Sequence, residues 1–247
     1  MNFFYRFALA LFSLLVAINA LQAQSYFVAS FTGGFPKYDA LSAIAQTYNA
    51  QGKHQLGNFS FMPGFEFGIG MYGERTMMEA KIASLGQTLH SHVTNANPED
   101  VSLDFSYTYL NYSFGYRPFP KTYFTVGTGL NLGLAQTRYS FLSDWQVMNQ
   151  DYVAGSEFFI DYAFPLKLKR KRAPYMFRIR PYYQQFFGSL DLRKLDANFN
   201  EKPINSLPKT TQDPSHFGVH LSIIVPFGKD KPKPKQPLPS VDRVLPN

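Results

Sequence analysis

The 247-residue sequence has no cysteine, one tryptophan and, beyond residue 23, no stretch that could form a transmembrane helix. Without cysteine there is no thiolate metal site, no cysteine nucleophile and no disulfide framework, so the stability of an exported chain must come from strand pairing. No glycine-rich phosphate loop precedes a helix and no paired carboxylates mark a soluble cleft, which leaves no specific catalytic motif. The net charge of +7 clusters in Lys167, Lys169, Arg170, Lys171 and Arg172 and in Lys229, Lys231, Lys233 and Lys235. Neither run is interleaved with exposed aromatics, so nucleic acid is not an expected partner.

Alternation is what the chain has in quantity, and 25 Phe and 16 Tyr supply much of it. Val101, Leu103, Phe105, Tyr107 and Tyr109 alternate with Ser102, Asp104, Ser106 and Thr108, the period of two of a β-strand. After Tyr109 the apolar set moves to Leu110, Tyr112, Phe114 and Tyr116, which reads as a β-bulge near Tyr109 and Leu110. Pro118 and Pro120 mark a turn, and the next strand, from Thr122, puts Phe124, Val126, Leu130, Leu132 and Leu134 on one face. Folding about Pro120 sets Phe114 opposite Val126, Leu110 opposite Leu130 and Ser113 opposite Gly127. The other face is small or polar over spans longer than the roughly 9 to 11 residues a tilted strand needs to cross a bilayer. This is the pattern of an outer-membrane barrel wall.

The remaining segments repeat the unit. Residues 1–23 carry Arg6, an apolar run and small residues before the cut expected between Ala23 and Gln24, as in a secretory signal peptide. Strands are expected at 26–32, 59–72, 75–92, 152–165, 175–188 and 216–227, with a short surface helix at 38–50 and outer loops at 139–150 and 190–214, the latter mobile. Gly73 and Glu74 suit a two-residue hairpin turn that sets Glu66 opposite Lys81 and Gly68 opposite Glu79. In the same way Asp161 falls opposite Arg178, with Arg180 diagonal to Glu157. The fold class is therefore all-β, an eight-stranded antiparallel up-and-down transmembrane β-barrel over residues 24–227. The Pro- and Lys-rich tail 228–247 follows it on the periplasmic side, as do both termini and the basic turn.

Eight strands enclose an interior that side chains just fill. Glu66, Glu79, Lys81, Asp104, Glu157, Asp161, Arg178, Arg180 and Tyr182 are expected to form a polar lumen network that plugs the barrel, with inward glycines leaving room for the tyrosines. His220 and Ser222 lie two apart on one strand, the spacing of a deacylase-like pair, but a lumen histidine is the better reading. His90 and His92 share a face near the outer rim without a third ligand, so no metal site is assigned. No cofactor is expected.

These features together resemble the small eight-stranded outer-membrane barrels of the OmpA-like and OmpX-like kind, with PorT-like relatives. The likeness covers residues 24–227 and includes the closing aromatic Phe227, although 20 residues follow it. It implies a cell outer membrane location, with lipid, lipopolysaccharide and the barrel-assembly machinery as partners; the tail itself reads as an extended spacer, with docking to a periplasmic protein or the cell wall as the alternative. The role expected of the chain is structural or interaction, through the outer loops and the periplasmic tail. The alternatives are an accessory barrel of a secretion or gliding machine, a lipid A-modifying enzyme and a small diffusion pore.

Overall fold

The computed structural model describes residues 24–51, 55–91, 100–119, 122–141, 144–166, 175–203 and 210–227. Residues 1–23, expected as a signal peptide cut after Ala23, the basic run from Lys167 to Arg172, His92 and the tail 228–247 lie outside the described residues. The strands are β1 (Gln24–Pro36), β2 (Met62–Tyr72), β3 (Thr76–His90), β4 (Val101–Tyr116), β5 (Phe124–Phe141), β6 (Asp144–Pro165), β7 (Met176–Phe186), β8 (Leu190–Asp191), β9 (Thr211–Gln212) and β10 (His216–Phe227). Two helices, α1 (Asp39–Ala50) and α2 (Arg193–Phe199), sit in the outer connections. Strands β1 to β7 and β10 form a closed barrel in which every neighbour is antiparallel, while β8 and β9 make a separate two-stranded sheet. The expected architecture of eight antiparallel strands is the observed one.

Cross-strand rows show how the exterior is built. On the β3 to β6 side, Met78, Phe114, Thr128 and Phe158 form one row and Ile82, Leu110, Leu132 and Ala154 another, both in the apolar belt. Above the row of Ser84, Thr108, Leu134 and Tyr152 the outer face turns polar. Gly86, Ser106, Gln136 and Gln150 come next, then Thr88, Asp104, Arg138 and Val147, then His90, Ser102, Ser140 and Trp145. On the other side, β7, β10, β1 and β2 carry apolar outer residues up to the row of Phe35, Phe217 and Tyr183 and end there. One half of the wall therefore stands higher than the other.

The belt boundary explains an apparent phase slip. β4 keeps its odd residues inside over its whole length, and its pairing with both neighbours runs without a register shift. The bulge expected at Tyr109 and Leu110 is absent. At that level the interior changes from apolar to polar while the exterior changes the other way, so the hydrophobic set swaps parity on a regular strand. The register shift between β5 and β6 occurs instead at Thr137/Arg138, where Met148 is the extra residue. It turns Val147 and Trp145 to the outer face, and the Arg138 guanidinium lies 5.3 Å from the Trp145 ring centre.

Three hairpin registers also differ from expectation, each by two residues in the same sense. Tyr72 pairs with Met77, so Gly68 faces Lys81 and Glu66 faces Ala83. Leu110 faces Leu132, Ser113 faces Gly129 and Phe114 faces Thr128, and Ala163 rather than Asp161 faces Arg178. The turns are longer than assumed, as the Gly73 N–H bonded to the Thr76 carbonyl (2.8 Å) illustrates. A shift of two leaves every side chain on its face, which is why the inside and outside assignments survive.

The outer connections differ most. The described residues of 139–150 are not a loop: 139–141 belong to β5 and 144–150 to β6. The described part of 190–214 is β8, α2 and β9 rather than a structureless loop. The helix at 38–50 forms as expected, but its Leu41, Ile44, Ala45 and Tyr48 are buried, so it is a cap over the barrel mouth and not a surface helix. Phe59, the first residue of the strand expected at 59–72, lies before β2 and is buried with the helix.

Candidate functional site

Inside the wall the residues sort into three layers. The lowest is apolar: Tyr26, Val28, Met77, Phe159, Ala163, Met176 and Ile224 pack together, with Tyr72 against them. The highest is apolar as well. Leu85, Leu89, Val101, Leu103, Phe105, Tyr107, Tyr109, Ala135 and Tyr139 from the tall wall bury themselves against α1 and against Leu195 and Phe199 of α2. Tyr48 and Phe199 join the two helices with ring centres 4.4 Å apart, and Tyr38 packs edge-on against Phe105 at 5.0 Å.

Between these layers lie the expected ionic residues. Glu66, Glu79, Lys81, Glu157, Asp161, Arg178 and Arg180 are all buried. Lys81 Nζ stands 3.0 Å from Glu66 and 3.7 Å from Glu79. Arg180 donates through Nε and a terminal nitrogen to Asp161 (2.5 and 2.8 Å), and it lies 2.7 Å from Glu79 and 3.7 Å from Glu157. Its guanidinium also rests 4.0 Å from the Phe159 ring centre. Arg178 donates to Glu79 and lies 3.6 Å from Asp161. Four carboxylates thus share Lys81 and two arginines, and pairing of this kind is what makes buried charge tolerable.

Neutral groups complete the layer. Tyr26 donates its hydroxyl to Glu79 (2.7 Å), Ser30 donates to Glu66 (3.0 Å), and Asn111 donates to Asn131 (2.6 Å) and Glu157 (3.2 Å). Period-two parity places Asn111, Asn131 and Gln184 on the inward face, but none of these, nor Tyr26 and Ser30, is among the network residues expected from the sequence. Tyr182 belongs to the layer's upper edge: it stacks on His220 at 4.2 Å and lies 3.3 Å from His216 Nε2. Glycines admit these rings where the backbones approach. A Cβ on Gly70 would stand 2.7 Å from Tyr26 Cε2, and one on Gly218 would strike the Tyr182 ring.

Asp104 is not in the lumen. It occupies an even position of β4 on the outer face above the belt, where Arg138 donates to it from Nε (3.0 Å) and a terminal nitrogen (2.8 Å) and Thr88 donates at 2.7 Å. Its partners lie directly across the strands, so period-two parity would have found the site once the phase slip was understood. His220 and Ser222 are inward and buried, as expected. His220 stands 3.8 Å from both Glu66 and Glu157, and the Ser222 hydroxyl is 2.9 Å from Ser30. Both side chains are fully buried beside the carboxylates, so these groups form part of the ionic layer. His90 Nδ1 lies 2.8 Å from the Ser102 hydroxyl, and no cluster of three or more candidate metal ligands occurs among the described residues.

The cap is tied down by polar clamps. Gln212 donates to the Lys37 and Asp213 carbonyls (both 2.7 Å) and accepts from the Ala40 N–H at the start of α1 (3.1 Å). Asn49 closes on Leu56 through both the N–H (2.8 Å) and the carbonyl (3.0 Å). Asn200 reaches across to the Ile44 carbonyl (3.3 Å), linking α2 to α1. Burial holds the Tyr38 phenol well above the ordinary tyrosine range, and its hydroxyl donates to the Met62 sulfur.

No protein-family model matches the sequence, and no curated protein matches it significantly. Solved structures of similar architecture exist. The attachment invasion locus protein Ail of Yersinia pestis, in complex with the heparin analogue sucrose octasulfate, is 12% identical, with 83% of this chain and 98% of that one covered and a TM-score of 0.41. A second structure of Ail is 11% identical over the same shares, with a TM-score of 0.43. The outer membrane protein OprG from Pseudomonas aeruginosa is 12% identical, with 84% and 98% covered and a TM-score of 0.37. At these levels they are likenesses of fold.

Proposed function

We propose that this chain is an outer-membrane β-barrel of structural or interaction type, non-enzymatic, working through its capped outer end. The apolar belt supports the membrane reading. On β5 it runs from Phe124 to Leu134, and at roughly 3.3 Å per residue and a strand tilt of roughly 40° this rises about 25 Å, the height of a barrel's lipid-facing band. Its side chains are exposed where a soluble sandwich would bury them, as Phe67 (56%) and Leu130 (60%) show. The short connections then face the periplasm, and the cap with the tall β3 to β6 wall faces outward.

The observation that carries the interaction reading over a pore is the layering. Ionic side chains occupy the middle of the lumen, but apolar packing closes it below and again above, where α1 and α2 complete the seal. The test has two parts. Protein extracted from an outer-membrane fraction should migrate faster on a gel before boiling than after it, and the folded barrel should give no stepwise conductance in planar bilayers. Steady channel openings from the unmodified chain would refute the sealed lumen, and a soluble protein without a mobility shift would refute the membrane reading.

A further inference from the structure

On the low side of the wall the barrel ends where the belt ends, and the cap descends onto it. Phe35, Phe217 and Tyr183 form the top outer row there, with Tyr183 and Phe217 ring centres 4.6 Å apart. Immediately above, Lys37, Asp39 and Asp213 from the two long outer connections line the same hollow, whose volume is about 480 Å³. The aromatic floor is open: Phe217 is 66% and Phe35 56% exposed. Gln212, behind the hollow, holds its walls together through the bonds to Lys37, Ala40 and Asp213 described above.

The charges in this hollow are not spent on each other. Lys37 and Asp39 form no ion pair among the described residues, and Asp213 uses one carboxylate oxygen to accept the Ser215 N–H (2.9 Å). One ammonium and two carboxylates set over an aromatic row at the apolar boundary fit an amphiphile with charges of both signs. A purely anionic head would meet two carboxylates against one lysine. A phosphate on Lys37 with an ammonium between Asp39 and Asp213 satisfies all three, and the attached hydrocarbon continues down over Phe35 and Phe217.

We propose that the hollow lined by Phe35, Lys37, Asp39, Asp213 and Phe217 binds a phosphoethanolamine-type lipid head group in the outer leaflet. This rests on the membrane reading given above. The same head group is carried by phosphatidylethanolamine and by phosphoethanolamine-capped glycolipids, and the site recognises the shared phosphate and ammonium.

The test is native mass spectrometry of the full-length barrel refolded in detergent and supplied with phosphatidylethanolamine, phosphatidylglycerol, or lipid A with and without a phosphoethanolamine cap. The expected result is about fivefold greater retention of phosphatidylethanolamine than of phosphatidylglycerol, or of capped than of plain lipid A, the factor that about 1 kcal/mol confers. Preference in only one of the two pairs identifies the source. Lys37→Ala should reduce the preferred complex, and the double substitution Asp39→Asn with Asp213→Asn should turn the preference toward phosphatidylglycerol. Equal retention in both pairs, or a preference untouched by these changes, overturns the proposal. Heat-modifiable mobility measured on the same samples separates the two ideas: a folded barrel without selectivity sinks the hollow alone, whereas an unfolded or soluble chain sinks the membrane reading.

Discussion

Replacing Arg180 with methionine asks how dry the ionic layer is. The substitution keeps an unbranched, apolar side chain against Phe159 and removes one of the layer's two guanidinium groups. Asp161 loses both of its closest bonds, at 2.5 and 2.8 Å, and Glu79 loses a contact at 2.7 Å. Arg178 remains beside Glu79 and at 3.6 Å from Asp161, so the loss is partial for Glu79 and severe for Asp161. Breaking a buried ion pair by removing one partner costs about 3–5 kcal/mol, because it strands the other charge in a poorly solvated site. Replacing both members with apolar residues is much milder and often neutral. Urea unfolding of the refolded barrel in lipid vesicles should therefore rank Arg180→Met well below the wild type, with the double variant Arg180→Met and Asp161→Leu recovering most of the loss. The coupling between the two sites should exceed about 1.5 kcal/mol, beyond the range of exposed pairs. A single variant within about 0.5 kcal/mol of the wild type, the effect usual for a surface substitution, would mean that water reaches the layer and that the apolar seals above and below it leak.

Other changes probe the cap and the wall. Gln212→Leu removes the two bonds that join the long connections, to the Lys37 carbonyl and from the Ala40 N–H, and should expose the cap to protease while leaving the barrel's gel shift intact, with a local loss of about 1–3 kcal/mol for the unsatisfied groups; unchanged proteolysis would mean that the apolar cluster alone holds the cap. Gly70→Val places side-chain atoms where the Tyr26 ring lies, so it should displace the Tyr26 hydroxyl from Glu79 and lower the urea midpoint. Asp151, in the part of β6 above the belt, has its carboxyl raised above the ordinary aspartate range by burial and by the nearby Asp191 charge. The folded state therefore holds this proton more tightly than the unfolded chain, and the stability it brings is lost as pH rises through the folded value. Asp151→Asn should make the cap more protease-resistant at neutral pH, and that gain should vanish in acid below the ordinary aspartate range.

How far the sequence could be read depended on what each feature rests on. Face assignment rests on a local period of two, and so Arg178, Arg180, Glu157 and Asp161 could be placed inside before any register was known. Register rests on turn length, which Gly73, Glu74 and the two prolines around residue 120 bound only loosely, and each hairpin slipped by two as a result. The cap was the least legible part. Leu41, Ile44 and Tyr48 show a helical stripe, but nothing local says that the stripe meets Phe105, Tyr107 and Phe199 across the barrel mouth.

The alternating sequence thus determined the strand count, the antiparallel order and, for every lumen residue it named except Asp104, which face of the wall the side chain takes, because those follow from backbone geometry repeated along the chain. Only the tertiary structure decided which carboxylate meets which arginine, that Asp104 belongs to the outer face with Arg138, and that the ionic layer is sealed at both ends. Those outcomes depend on closure. Bringing β1 against β10 fixes the stagger of all eight strands at once, and distant residues become neighbours at a level of the barrel that no single segment encodes.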